Sequence, residues 1–161
     1  MKRKRQADGF AMIEVLIAIV ILAFGLLAGS RMQILGLGYT LSATSRSYAT
    51  MAANDIMDRM RLNPAGEVAY VGFDTSTSSI PDEQNCEVNL CNQTQRANQD
   101  LRIWSRYFRK ADATDVATVL PPDARGSIEQ DGAAVLVTVS WNDQIAGEAE
   151  EQNVTVSGVL R

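Results

Sequence analysis

The sequence predicts an α+β fold, one long N-terminal helix laid against a small antiparallel sheet, with a second helix beside it. Three observations predict it. Residues 10–29 are almost wholly apolar, and beyond them Ala49, Ala52, Ile56 and Met60 recur at i, i+3, i+7 and i+11, one face of a 3.6-residue period. Farther on, Ala97, Leu101, Trp104 and Phe108 repeat at i, i+4, i+7 and i+11. In the C-terminal third, Val135, Val137, Val139 and Trp141 alternate with Leu136, Thr138 and Ser140, as in a strand with one buried face.

The first element is the most informative. Residues 10–29 form a run of twenty with one charge, Glu14. As a helix the run is about 30 Å long, enough to cross the hydrocarbon of a bilayer. Lys2, Arg3, Lys4 and Arg5 precede it, which predicts a cytoplasmic N-terminus and export of everything after Gly29. A secretory signal peptide or plain signal anchor is the bland reading, and Ala28-Gly29-Ser30 offers small residues for a cleavage site. Glu14 stands against it, because a carboxylate within the apolar layer costs up to about 3 kcal/mol without a purpose.

Helical character is expected to continue to Leu62, where Asn63-Pro64 stops it, since proline drives the preceding residue out of the helical region. Residues 10–62 would then span roughly 80 Å, more than twice a bilayer, so the second half should lie on a soluble head. Asp55 and Arg59 form an i,i+4 pair in the favourable order. Gly25, Gly29, Gly36 and Gly38 are the expected flexible points. Residues 64–93 read as irregular, with a loop at 74–79 rich in Ser and Thr. Thr94 is the expected cap of the second helix, whose Arg102, Arg106 and Arg109 point away from its apolar face. Trp104 reads as core rather than as part of a ligand site. Residues 127–130, an Asp131-Gly132 turn and residues 133–141 suggest a hairpin. An acidic loop around Glu148, Glu150 and Glu151 should lead into a strand at 153–160, with Val154, Val156 and Leu160 on one face.

Composition narrows function. Of 15 Lys+Arg and 19 Asp+Glu, four bases and one acid lie before Phe10, leaving eleven and eighteen in the remainder, a net −7 against −4 for the whole chain. Such an acidic body offers no general field for nucleic acid, and none is expected as a partner. There is no histidine, no glycine-rich phosphate loop and no cluster of metal-ligand type, so neither an enzyme nor a cofactor, metal or small-molecule ligand is expected. The only cysteines, Cys86 and Cys91, are too few for structural zinc and too widely spaced for a CxxC motif. In an exported chain they read as a disulfide, worth roughly 2 kcal/mol on the chain-entropy model and mainly pinning loop 86–91. Free thiols used for signalling are the alternative.

Gly9-Phe10-Ala11-Met12-Ile13-Glu14 resembles the processing motif of type IV prepilins, and the short basic leader fits the same pattern. Ala11 stands where that family usually has Ser or Thr, and Arg31 stands where many major pilins bend at a proline. The resemblance implies cleavage by the prepilin peptidase between Gly9 and Phe10, N-methylation of Phe10, and a charge pair between Glu14 of one subunit and the Phe10 amine of the next. The stretch from Asp55 to Pro64 resembles the spine end of the PilV family of minor pilins, the type IV pilus modification proteins. So do the later cysteine pair, Ala97, Asp100 and Trp104, Leu120-Pro121 and the strand ending Val137-Thr138-Val139-Ser140-Trp141; residues 65–85 align with nothing.

The expectation that follows is a minor pilin of pilin-like α+β architecture. Its segments are a cleaved leader at 1–9, a membrane and filament-core helix at 10–29, a spine continuation at 30–64, and a periplasmic head at 65–161. Its partners are the other minor pilins, the major pilin and the inner membrane, and it ends in a pilus at the cell surface. Priming or capping the pilus, twitching motility and surface attachment are the implied roles. The alternatives are a minor pseudopilin of type II secretion, or a head acting as tip adhesin or DNA receptor.

Overall fold

The computed structural model describes residues 12–108, 120–145 and 148–160. Helix α1 (Met12–Leu62) runs unbroken for 51 residues and passes Gly25, Gly29, Gly36 and Gly38 without interruption. Glycine lowers helix propensity but keeps its backbone donor, unlike proline, so the hydrogen-bond ladder survives at these expected flexible points. Hydroxyls along the helix are satisfied locally: Ser30, Thr40, Thr44, Ser47 and Thr50 each donate to the carbonyl four residues back, at 2.8–2.9 Å. The helix ends at Asn63-Pro64. Pro64 opens a 3-10 turn (Pro64–Gly66) that leads into a single helical turn, α2 (Glu67–Tyr70), so 64–93 is less irregular than its composition suggests.

Helix α3 (Gln93–Ser105) begins two residues earlier than expected. Its cap is Asn92, not Thr94: the Asn92 side chain accepts from the Gln95 N–H at 2.9 Å, and the Gln95 side chain accepts from the Asn92 N–H at 3.0 Å. This reciprocal box needs a Gln or Glu three residues on, which Asn92 has and Thr94, followed by Ala97, lacks.

Strands β1 (Arg125–Asp131), β2 (Ala134–Ile145) and β3 (Glu148–Gly158) form one antiparallel sheet in the order β1-β2-β3. Asp131 closes β1 opposite Ala134, so the two-residue turn is Gly132-Ala133 rather than Asp131-Gly132. Gly132 takes φ +61° there, a conformation glycine adopts without steric cost. The acidic segment expected as a loop is strand from Glu148 onward, paired with β2 through Ile145↔Glu148. Glutamate is a poor strand former in isolation, but the hairpin imposes pairing on it.

The core lies where α1, α3 and the sheet meet. Ala49, Ala52, Ile56 and Met60 are buried together with Ala97, Leu101, Trp104, Phe108, Ile128 and the alternating Val135, Val137, Val139 and Trp141. Small residues on α1 let the other layers approach. The Trp104 indole donates to the backbone carbonyl of Ala52 at 2.8 Å, and its ring meets Phe108 edge to face at 4.9 Å between centroids. Gly126 on β1 is required by this packing, because a Cβ there would stand 2.5 Å from the Trp104 ring and 2.7 Å from Phe108. The resulting architecture is a helical spine on a three-stranded sheet, the α+β fold expected of a type IV pilin.

Candidate functional site

The spine has two surfaces. From Ser42 on it meets the head, and from Ala49 on one face of it is buried there. Toward the N-terminus it stands free: the large apolar residues of 12–27 are all exposed, from 49 % at Val15 to 86 % at Met12. This stretch is apolar around its whole circumference and is long and apolar enough to cross a membrane. Glu14, in the first turn, is its one acid and is exposed among Met12, Ile13, Val15 and Leu16. The processing residues Gly9 and Phe10, and leader 1–9 with them, lie outside the described residues, as does Arg109. Geometry therefore locates Glu14 but not the amine it is expected to meet.

The junction between spine and head is held by polar contacts. Arg59 donates to Asp55 at 3.1 Å, the anticipated i,i+4 pair, and also to Asp100 on α3 at 3.3 Å. The Tyr70 hydroxyl donates to the second Asp100 oxygen at 2.6 Å, and Asn63 bridges from the Tyr70 oxygen (3.2 Å) to the Gln93 carbonyl (2.8 Å). Burial works against the Arg59 charge, but hydrogen bonds and charges from Asp55 and Asp100 prevail and raise its pKa. Burial first, then the bond to Asp100, pushes the Tyr70 phenol well above its ordinary value.

A pH dependence follows from that phenol. Below about pH 10 both folded and unfolded chains keep the phenol protonated and its contribution to stability is complete. Above that pH the unfolded chain ionises first, so stability falls as pH rises, by up to about 1.4 kcal/mol per pH unit for this group. Thermal melts of the full chain in detergent should therefore drop between pH 10 and 12, and Tyr70→Phe should flatten that drop. An unchanged slope in Tyr70→Phe would remove Tyr70 from the account.

A second polar contact fixes the near end of the sheet. Asp143 is buried, accepts from the Trp141 indole at 2.9 Å, and accepts from Ser42 on α1 at 2.6 Å. No local pattern in the sequence marks Asn63, Tyr70, Asp143 or Ser42 as partners, and Asn63-Pro64 signals only a helix stop.

Cys86 and Cys91 are joined in a disulfide with Cα atoms 5.4 Å apart. Their loop is tied to α3, where Gln99 accepts from the Gln84 N–H at 2.9 Å and Arg102 donates to the Pro81 carbonyl at 3.2 Å. Arg102 is thus partly committed to holding the loop. The Ser/Thr segment is also ordered, since Asp74 accepts from the Ser76 N–H at 2.7 Å and from its hydroxyl at 2.5 Å. Partial burial opposes the Asp74 charge, yet these bonds hold its carboxyl below the usual range. A shallow cleft of about 300 Å³ lies between Leu62, Cys86, Arg96 and Ile103, and among the described residues no acidic or cysteine cluster could hold a metal ion.

Two family models match the chain. Residues 31–102 match the family described as Type IV pilin Tt1218, and residues 4–30 match the prokaryotic N-terminal methylation motif. The two matches abut, and between them they take in the whole of α1, the disulfide loop and most of α3. No curated protein and no solved structure matches the chain significantly.

Proposed function

The chain belongs to the type IV pilins and carries their N-terminal methylation motif, and from that premise we propose that it is a minor pilin that helps prime, assemble or cap a pilus. Residues 1–9 are the leader removed by the prepilin peptidase. Phe10 becomes the N-methylated terminus, residues 10–29 hold the chain in the inner membrane and later in the filament core, residues 30–64 complete the spine, and residues 65–161 are the exported head. Before assembly the N-terminus is cytoplasmic and the head periplasmic. The role is structural, not enzymatic, and twitching motility and surface attachment depend on it.

The observation that carries this reading is the free apolar helix with a single acid at Glu14. A carboxylate and an ammonium are each costly in an apolar interior and tolerable when paired. Glu14 of one subunit meets the Phe10 amine of an adjacent subunit and sets the register between them. Loss of the gene should abolish or reduce surface pili while exoprotein secretion continues. Normal pili with failed secretion would instead identify a type II secretion pseudopilin.

A further inference from the structure

We propose that the outer edge of β3 is a docking site for an extended, basic strand of a different membrane-anchored subunit. The two edges of the sheet are treated differently. On the β1 side, the segment after α2 covers the edge: Gly72 and Thr75 donate to the carbonyls of Ile128 and Gly126 at 2.8 and 2.9 Å, and Phe73 accepts from the Ile128 N–H at 2.9 Å. The bridge Asp74↔Ser127 completes that cover. On the other side, no described segment pairs with β3. Its inner edge keeps register with β2 over 11 consecutive residues without a bulge, and it contains no proline or lysine. Long, straight edges of this kind are normally blunted, because a row of unpaired N–H and C=O groups is a template for another strand.

The direction of β3 selects the partner. Glu150 pairs with Asp143, which is bonded to Ser42 on α1, the contact nearer the anchor. At the other end, a Cβ on Gly158 would lie 3.0 Å from the sulfur of Met57. From 150 to 158 is about 26 Å of strand, and from Ser42 to Met57 is about 22 Å of helix, so β3 runs along the spine and away from the anchor. A second copy held in the same membrane would present its β3 parallel to this one. The acidic stretch 148–151, with three acids and no base, would then lie beside its own equivalent, which like-charge repulsion disfavours. A different subunit, with Lys or Arg where its strand passes Glu150 and Glu151, satisfies both backbone and charge. Glu151 already shows the pairing chemistry, accepting from Arg125 at 2.8 Å.

This inference rests on the membrane-anchored pilin reading above. The test uses the full chain in its native membrane, with Asn153→Cys, Thr155→Cys and Ser157→Cys introduced singly at exposed β3 positions and each thiol labelled with a short maleimide–benzophenone, which on illumination inserts into a nearby C–H bond. Mapping the adducts by mass spectrometry should find one strand of one neighbouring subunit, with the attachment point moving two residues for each two-residue step along β3. Glu150→Lys should lower the Asn153→Cys adduct by at least about tenfold, and an acid in place of the neighbour's base should restore it. Adducts to a second copy, attachment points stepping by three or four as on a helix, no adducts at all, or insensitivity to Glu150→Lys would each overturn the proposal. A chain that inserts and begins at Phe10 but gives no ladder defeats the edge alone; one that never reaches the membrane defeats the reading beneath it as well.

Discussion

Replacing Glu14 with glutamine should leave maturation intact and reduce recovery of the subunit in sheared pili by about a hundredfold. The size follows from leaving the Phe10 ammonium without its partner in an apolar interior, a loss of about 3 kcal/mol or more for a broken buried pair. Processing should be spared, because the cut proposed between Gly9 and Phe10 precedes any filament contact. The measurement compares mutant and wild-type protein in inner membranes and in sheared pili by quantitative blotting. A membrane pool of normal size with a depleted pilus pool is the expected result. Equal recovery in pili would mean that Glu14 does not set register between subunits.

Trp104→Ala should destabilise the head by about 3–5 kcal/mol, the range for deleting a large buried aromatic side chain. Three losses coincide at this residue. The cavity left between α1, α3 and β1 cannot close, since Gly126 offers no side chain to fill it. The edge-to-face contact with Phe108 goes, and so does the indole bond to the Ala52 carbonyl, which joins α3 to the spine. In thermal melts of the full chain in detergent, a downward shift on the order of 10–20 °C is expected. Phe at the same position keeps most of the volume and should recover more than half of that shift. Were Trp104→Ala to melt like wild type, the spine–head junction would have to be held elsewhere.

Residue patterns differ in how much of this they disclose. The spine was legible because a 3.6-residue period of Ala49, Ala52, Ile56 and Met60 needs only local sequence, and all four are buried. The apolar face of α3 and the alternation in β2 were legible for the same reason. What escaped depends on residues far apart or on competition between local signals. Asp100 meets Arg59 across 41 positions and Tyr70 across 30, and no periodicity announces such a contact. Glu148, Glu150 and Glu151 look like loop by composition, yet β2 runs on to Ile145 and pairs with β3 from Glu148 onward. Thr94 was a plausible cap in isolation, and only the reciprocal bond from Gln95 favours Asn92 over it. Within the candidate site, the acid at Glu14 was visible as the one charge in an apolar run. The proposed Gly9–Phe10 step rests on a short contiguous motif within residues 4–30, which match the N-terminal methylation model.

The account depends most on where the native protein begins. Intact-mass and N-terminal peptide analysis of the chain purified from its own membranes should find Phe10 as the first residue, bearing an N-methyl group, with residues 1–9 gone. A native terminus at Met1, or one after Ala28 or any other residue, would leave Glu14 without its partner and contradict the proposed mode of assembly.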